Sequence, residues 1–187
     1  MISSDPKSYY HVHKYLRWQV AMDEEMNSVQ KNTTWELVSL PPGRKLVQCK
    51  WVLQTKVVAD GSTYKYKAIL VAKVFSQVQG VDYHETFAPV AKMDSICLVL
   101  AILASKHWEV HHMDVKSEFM HGDIHEEIYM KYFEGYIFDP SLFCKLKKSL
   151  YGLKQAPREW YTKMDAFLLS QNFQRCRSDP NVYIKKI

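Results

Sequence analysis

Apolar positions along the chain change period several times, and each change predicts an element. Trp18, Met22, Met26 and Val29 recur at i, i+4, i+8 and i+11, which predicts a helix over residues 14–31, closed by Asn32-Thr33-Thr34. Residues 35–76 read as strands, with Lys65, Lys67 and Lys73 carried on a Tyr/Ile/Val-rich stretch over 63–75. Pro41-Pro42-Gly43 and Asp60-Gly61 punctuate them, the second suiting a two-residue hairpin loop. Residues 77–93 read as a polar loop. Asp94 or Ser95 is then placed to cap a helix from Ile96 to Lys106, apolar on nearly every side and so expected in the core. Val110–Asp114 and residues 126–131 read as short strands, with a helical turn over 116–120 ended by Gly122. Pro157 suits the first turn of a last helix, striped by Trp160, Met164, Phe167 and Leu168, before a loop and a final strand.

This order predicts an α+β fold: a strand-rich first half, then helices packed on a small antiparallel sheet. At 187 residues, 47% apolar and 24% charged, the chain is long enough to bury a core, and its twelve Tyr, eight Phe and five Trp exclude extensive disorder. The longest apolar run, Ile96–Ala104, is too short to span a bilayer, so no membrane partner is expected. The N-terminal stretch lacks the apolar region of a secretory signal. Cys49, Cys97, Cys144 and Cys176 lie far apart, as expected of reduced thiols in an intracellular protein.

The net charge of +5 is mild, but the basic residues are uneven. Lys145, Lys147, Lys148, Lys154 and Arg158 alternate with Tyr151, Trp160 and Tyr161, a pattern that suits a nucleic-acid surface. A solvated lysine face explains the same pattern, and composition alone favours it. Lys154 and Arg158 could meet phosphates and Tyr151 could stack on a base or sugar, while Gly152 also reads as a turn residue and Trp160 as core.

The most informative segment is HHMDVKSEFMHGDIHEEIYM, residues 111–130. Asp114 sits where a short strand meets a helical turn. A carboxylate there, with backbone amides just beyond, can hold a divalent cation and a phosphate together; it can equally be an N-cap. His111, His112, His121, Asp123 and His125 offer zinc-type ligands, without the H-E-x-x-H spacing that would make a hydrolase site specific. His11 and His13 are expected in solvent.

These segments, in order, resemble the reverse transcriptase domain of copia-type retrotransposon Pol polyproteins. The family's opening pattern appears as Trp18, Ala21, Met22 and Glu25, then Asn32, Thr34, Trp35, Leu37 and Val38, then Lys50-Trp51-Val52. Lys67 to Phe75 and Gly80 to Val90 continue it. Met113-Asp114-Val115-Lys116, Phe119 and His121-Gly122 match the first catalytic motif, and Tyr151 to Arg158 match a second signature. The resemblance covers residues 14–187, leaving 1–13 as an N-terminal tail.

The resemblance implies RNA-directed DNA polymerisation on an RNA/DNA template-primer with deoxynucleoside triphosphates. It implies a right-hand polymerase, here fingers plus an incomplete palm, and a two-Mg²⁺ centre. Asp114 is then the first metal carboxylate. Lys67, Ser117, Phe119, Tyr151 and Gly152 belong to the nucleotide site, with Phe119 crowding a 2′-hydroxyl, and Lys154 and Arg158 face nucleic acid. The family's other metal carboxylates come from a Tyr-x-Asp-Asp hairpin. No Asp-Asp occurs before the sequence ends at Ile187, so the chain is expected to be truncated and inactive alone, with the remainder of a Pol polyprotein as its natural partner. Ile69 stands where the family has Arg, Val74 where it has Gly, Glu118 where it has a small residue, and Lys131-Tyr132-Phe133 where a Pro is usual. Two other readings stand beside this one: a non-catalytic nucleic-acid-binding remnant and a zinc-dependent hydrolase.

Overall fold

A computed structural model describes residues 5–57, 63–136 and 139–186. The Asp60-Gly61 turn falls outside the described residues. Within them the chain is mixed α and β, with four α-helices and three small sheets.

The first helical turn, α1 (Tyr9–Val12), lies inside the stretch expected as a tail. Val12 is fully buried, which draws this turn onto the core. His11 is exposed and His13 half-buried, its ring stacked on Tyr9 at 5.3 Å. Helix α2 (Leu16–Lys31) forms as its periodicity dictates: Trp18, Met22, Met26 and Val29 are all buried, joined by Ala21. Burying a side chain of this size stabilises the fold by about 1.5–3 kcal/mol.

The expected strands follow as β1 (Trp35–Ser39), β2 (Leu46–Val47), β3 (Cys49–Val57) and β4 (Thr63–Ala72). Strands β3 and β4 form an antiparallel pair with Trp51 opposite Leu70 and Gln54 opposite Lys67. Alternation divides their faces. Trp51, Leu53, Ala68, Leu70 and Ala72 are buried, while Lys65 and Lys67 stay exposed. Helix α2 lies against β4, with Trp18 edge-on to Tyr66 at 4.9 Å.

A four-stranded sheet runs β1-β6-β5-β2, with β5 (Tyr129–Met130) and β6 (Leu142–Leu146). The expectation of an antiparallel sheet is corrected at one edge: β2 pairs with β5 in parallel, Val47 opposite Met130. Parallel neighbours need a long connection. Here the connection takes in the β3–β4 pair and the helices that follow it.

Helix α3 (Met93–Lys106) starts before the expected cap. Lys92 occupies the cap position, and neither Asp94 nor Ser95 precedes the helix. The anchoring carboxylate comes from far along the chain, because Asp179 accepts a hydrogen bond from the Lys92 amide at 3.0 Å. The expectation that α3 is a core helix is also corrected. None of its residues is buried; Leu98 is 61% exposed and Leu100 51%. Val110–Asp114 is irregular rather than a strand. A strand exists only through a partner's backbone, and no described strand lies beside this segment.

The expected turn over 116–120 is a 3-10 turn, Glu118–His121, ended at Gly122. Helix α4 (Ala156–Ser170) carries Pro157 in its first turn as expected. Its apolar stripe does not face the core, since Phe167 is 62% exposed and Trp160 only half-buried. Glu159 and Asp165 are buried instead. Asp165 receives Arg175 and the Tyr183 hydroxyl, which fastens α4 to the closing pair β7 (Gln174–Arg175) and β8 (Tyr183–Ile184).

Candidate nucleotide-binding cleft

Four separate parts of the chain meet at one cleft of about 590 Å³. Helix α2 supplies Glu24, Glu25 and Ser28. The β3–β4 pair supplies Lys56, Lys65, Lys67 and Ile69. The irregular segment after α3 supplies Asp114 through Glu118, and Tyr151 closes the remaining side.

Each wall is held by a specific contact. Strand β4 is tied to helix α2 by the Leu70 amide, which donates to Glu25 Oε1 at 3.2 Å. Segment 114–118 is tied to the same helix by a hydrogen bond between the Ser117 and Ser28 hydroxyls at 2.9 Å. Ser117 holds a left-handed backbone at φ 53°, an uncommon state for a side chain other than Gly. Tyr151 is placed by its own carbonyl, which accepts from the Ala72 amide at 2.7 Å. Gly152 follows at φ +87°, and a Cβ there would stand 2.2 Å from the Ala72 carbonyl oxygen. Only Gly lets the turn before α4 come this close to β4.

Charge in the cleft is balanced. Four ammonium groups, on Lys56, Lys65, Lys67 and Lys116, face four carboxylates, on Glu24, Glu25, Asp114 and Glu118. Burial raises the pKa of the Tyr151 hydroxyl, and nearby Glu118, Glu25 and Asp114 raise it further. Burial also pushes the Glu25 carboxyl above its ordinary range, against the lowering effect of the Leu70 amide and Lys67. Glu25 was visible in the sequence only as part of a family pattern. Its place in the cleft follows from helix register: one residue after Glu24 and three before Ser28, it shares the face that meets β4.

Of the residues expected at a nucleotide site, Asp114, Lys67, Ser117 and Tyr151 line the cleft. Gly152 stands behind it as the close-approach residue. Phe119 does not line it; its ring packs edge-on against Tyr151 at 4.9 Å and supports that side chain from behind. The departures Ile69 and Glu118 both line the cleft, so they change its surface directly.

Lys154 and Arg158 lie elsewhere. The Lys154 ammonium donates to the Tyr83 hydroxyl at 2.8 Å and sits 4.5 Å from that ring's centre. Its backbone joins a buried amide network: Gln77 accepts from the Lys154 amide, and Gln155 bridges Gln77 to the Asp82 carbonyl. Arg158 pairs with Glu159. The rest of the basic stretch is matched by carboxylates. Lys147 pairs with Glu36 at 2.6 Å, Lys145 with Glu127, and Lys148 and Lys163 with Asp123. These pairs cut the positive field that composition suggests.

Mg²⁺ takes oxygen ligands, usually one or two carboxylates plus substrate phosphates. Asp114 is exposed in the cleft and offers one. Among the described residues, no group of three or more His, Cys, Asp or Glu stands close enough to hold a metal ion. By themselves these residues do not build a two-metal centre. The zinc-type ligands do not converge either: Asp123 is held by its two lysines, His111 pairs with Glu109, and His121 leans on Trp160.

Comparison with known proteins gives the same family. The family model for reverse transcriptase (RNA-dependent DNA polymerase) matches residues 32–187. The chain is 51% identical over 168 residues to the retrovirus-related Pol polyprotein from transposon TNT 1-94 of Nicotiana tabacum, covering 89% of this chain. It is 40% and 39% identical to the Pol polyproteins from transposons RE1 and RE2 of Arabidopsis thaliana, covering 97% of this chain in each case. The chain spans 13% of the length of each of these three relatives. No solved structure matches it. With its motifs in order and the family model covering most of its length, the chain belongs to the reverse transcriptase (RNA-dependent DNA polymerase) family, in the form carried by copia-type transposon Pol polyproteins.

Proposed function

We propose that the cleft is the incoming-nucleotide site of an RNA-directed DNA polymerase and that this chain supplies the fingers and the start of the palm. One observation carries the reading: Asp114, Lys67, Ser117 and Tyr151, drawn from three distant stretches of sequence, line a single cleft. Lys67 and Lys65 are exposed on the strand face that borders it and can meet phosphate oxygens. The Tyr151 ring, buttressed by Phe119, offers a flat wall for a sugar or base. Asp114 would contribute one carboxylate to a metal set that other parts of a Pol polyprotein complete.

The 187-residue chain alone does not extend a primer on this reading, because Asp114 lacks the further carboxylates that two-metal chemistry needs. Fusion to a segment bearing a Tyr-x-Asp-Asp hairpin is expected to restore extension, and Asp114→Ala is expected to abolish it in the fusion.

Binding of dGTP to the chain, followed by fluorescence, tests the site without chemistry. Lys67→Ala is expected to weaken binding about tenfold, the effect of one charged hydrogen bond to phosphate. Lys147→Ala, outside the cleft, is expected to leave it unchanged. Equal loss in both variants, or none in either, contradicts the reading.

A further inference from the structure

We propose that a polyphosphate entering the cleft drives uptake of a proton by Glu25, so that this positioning residue tunes the affinity of the cleft with pH. The inference rests on the reading of the cleft as a nucleotide site and adds its regulation.

The geometry isolates Glu25 among the cleft's carboxylates. Its Oε1 accepts from the Leu70 amide at 3.2 Å, which anchors this half-buried carboxylate to the strand. Glu24, the next residue, instead reaches Lys65 at 3.7 Å with both side chains more than half exposed, where solvent screens the pair. Asp114 and Glu118 lie on the opposite wall, on the segment fastened by Ser117.

The cation that favours ionised Glu25 is Lys67. A triphosphate competes for the same ammonium and brings several negative charges into the cleft. Lys67 turns toward the phosphate oxygens, and Glu25 keeps its burial while losing its counter-charge. Loss of the counter-charge shifts Glu25 further toward its neutral carboxyl form. The proton comes from solvent and goes to Oε2, since Oε1 keeps the Leu70 amide. The remaining groups facing the site are Lys56 and Lys65 from the hairpin, Lys116 from the opposite wall, and the Tyr151 hydroxyl, whose proton is held more tightly still.

Glu25→Gln keeps an oxygen for the Leu70 amide and removes the charge. Calorimetry with inorganic tripolyphosphate at pH 6, in two buffers of different ionisation enthalpy, counts the protons taken up on binding. The wild type is expected to take up more than Glu25→Gln, while Glu36→Gln, outside the cleft beside Lys147, stays close to the wild type. At pH 7 the Glu25→Gln protein is expected to bind about three- to tenfold tighter. A carboxyl-carbon NMR titration of the unsubstituted protein reads the same residue directly, and its midpoint is expected to rise when tripolyphosphate is added. Binding with equal proton uptake in all three proteins, or an unmoved Glu25 midpoint, overturns this inference and leaves the nucleotide site standing. Failure of both tripolyphosphate and dGTP to bind overturns the two together.

Discussion

The Ala72 amide donates to the Tyr151 carbonyl at 2.7 Å, and this one bond brings the turn before α4 onto the second strand of the hairpin. Gly152 makes the approach possible, because its φ of +87° and the 2.2 Å left for a Cβ exclude any side chain. Gly152→Ala is expected to cost about 3 kcal/mol or more, from a left-handed backbone plus a clash with main chain. Gly43→Ala has a similar φ of +77° but nothing within 4 Å, and is expected to cost only about 1 kcal/mol. Urea midpoints of the two variants check the difference.

The anchor of helix α3 makes the fold sensitive to acid. Asp179 is buried, accepts from the Lys92 and Asn181 amides, and has its carboxyl lowered to about 2 by those hydrogen bonds. An unfolded Asp titrates near about 3.9. The folded value is the lower one, so the stability contributed is complete above the unfolded value and is lost as pH falls from about 4 toward 2. Asp179→Asn is expected to lower the melting temperature by a constant amount from pH 5 to 7, with the gap from the wild type closing below pH 4. A constant gap down to pH 2 contradicts the assignment.

Thiol reactivity is expected to divide the four cysteines. Burial pushes Cys49 and Cys144 up to about 12, so neither forms thiolate at neutral pH. Cys97 is exposed, and the Cys176 thiol is lowered by the Ser178 hydroxyl and the amides of Ser178 and Asp179. Iodoacetamide at pH 7.5 is expected to label Cys176 and Cys97 in the native protein. Cys49 and Cys144 are expected to react only after denaturation. Mass spectrometry of the digested protein reads all four.

Helix α3 presents Ile96, Leu98, Val99, Leu100 and Ile102 to solvent, with Trp108, Val110 and Met113 just beyond. A surface of this kind binds apolar dyes and promotes association. Replacing Leu98 and Leu100 together by Lys is expected to lower dye fluorescence and light scattering while leaving the urea midpoint nearly unchanged, since neither side chain is buried.

Legibility in the sequence followed how local the causes were. Helix α2 was readable because one face of its own residues meets the core. The β3 and β4 strands were readable because their alternation separates Trp51 and Leu70 from Lys65 and Lys67. Helix α3 was misread because hydrophobicity signals a need for burial without supplying the partner. Its N-terminus was misread because the anchoring carboxylate sits at residue 179. Val110–Asp114 has strand composition and lacks a neighbouring strand, and no local pattern announces the parallel pairing of β2 with β5. The cleft was legible only through resemblance: Lys67, Asp114 and Tyr151 are far apart in sequence, and spacing alone gave no reason to unite them. The carboxylates facing the basic stretch, Glu36, Asp123 and Glu127, were likewise scattered, so composition overstated its positive field.

The central claim is tested most directly by mapping where a nucleotide sits. A photoreactive deoxynucleoside triphosphate is bound to the protein, irradiated, and the labelled peptides identified by mass spectrometry. The label is expected on peptides containing Lys65–Lys67 or Tyr151, and unmodified dGTP is expected to suppress it. Label on the Lys145–Lys148 stretch, or label that excess dGTP fails to suppress, would contradict the account.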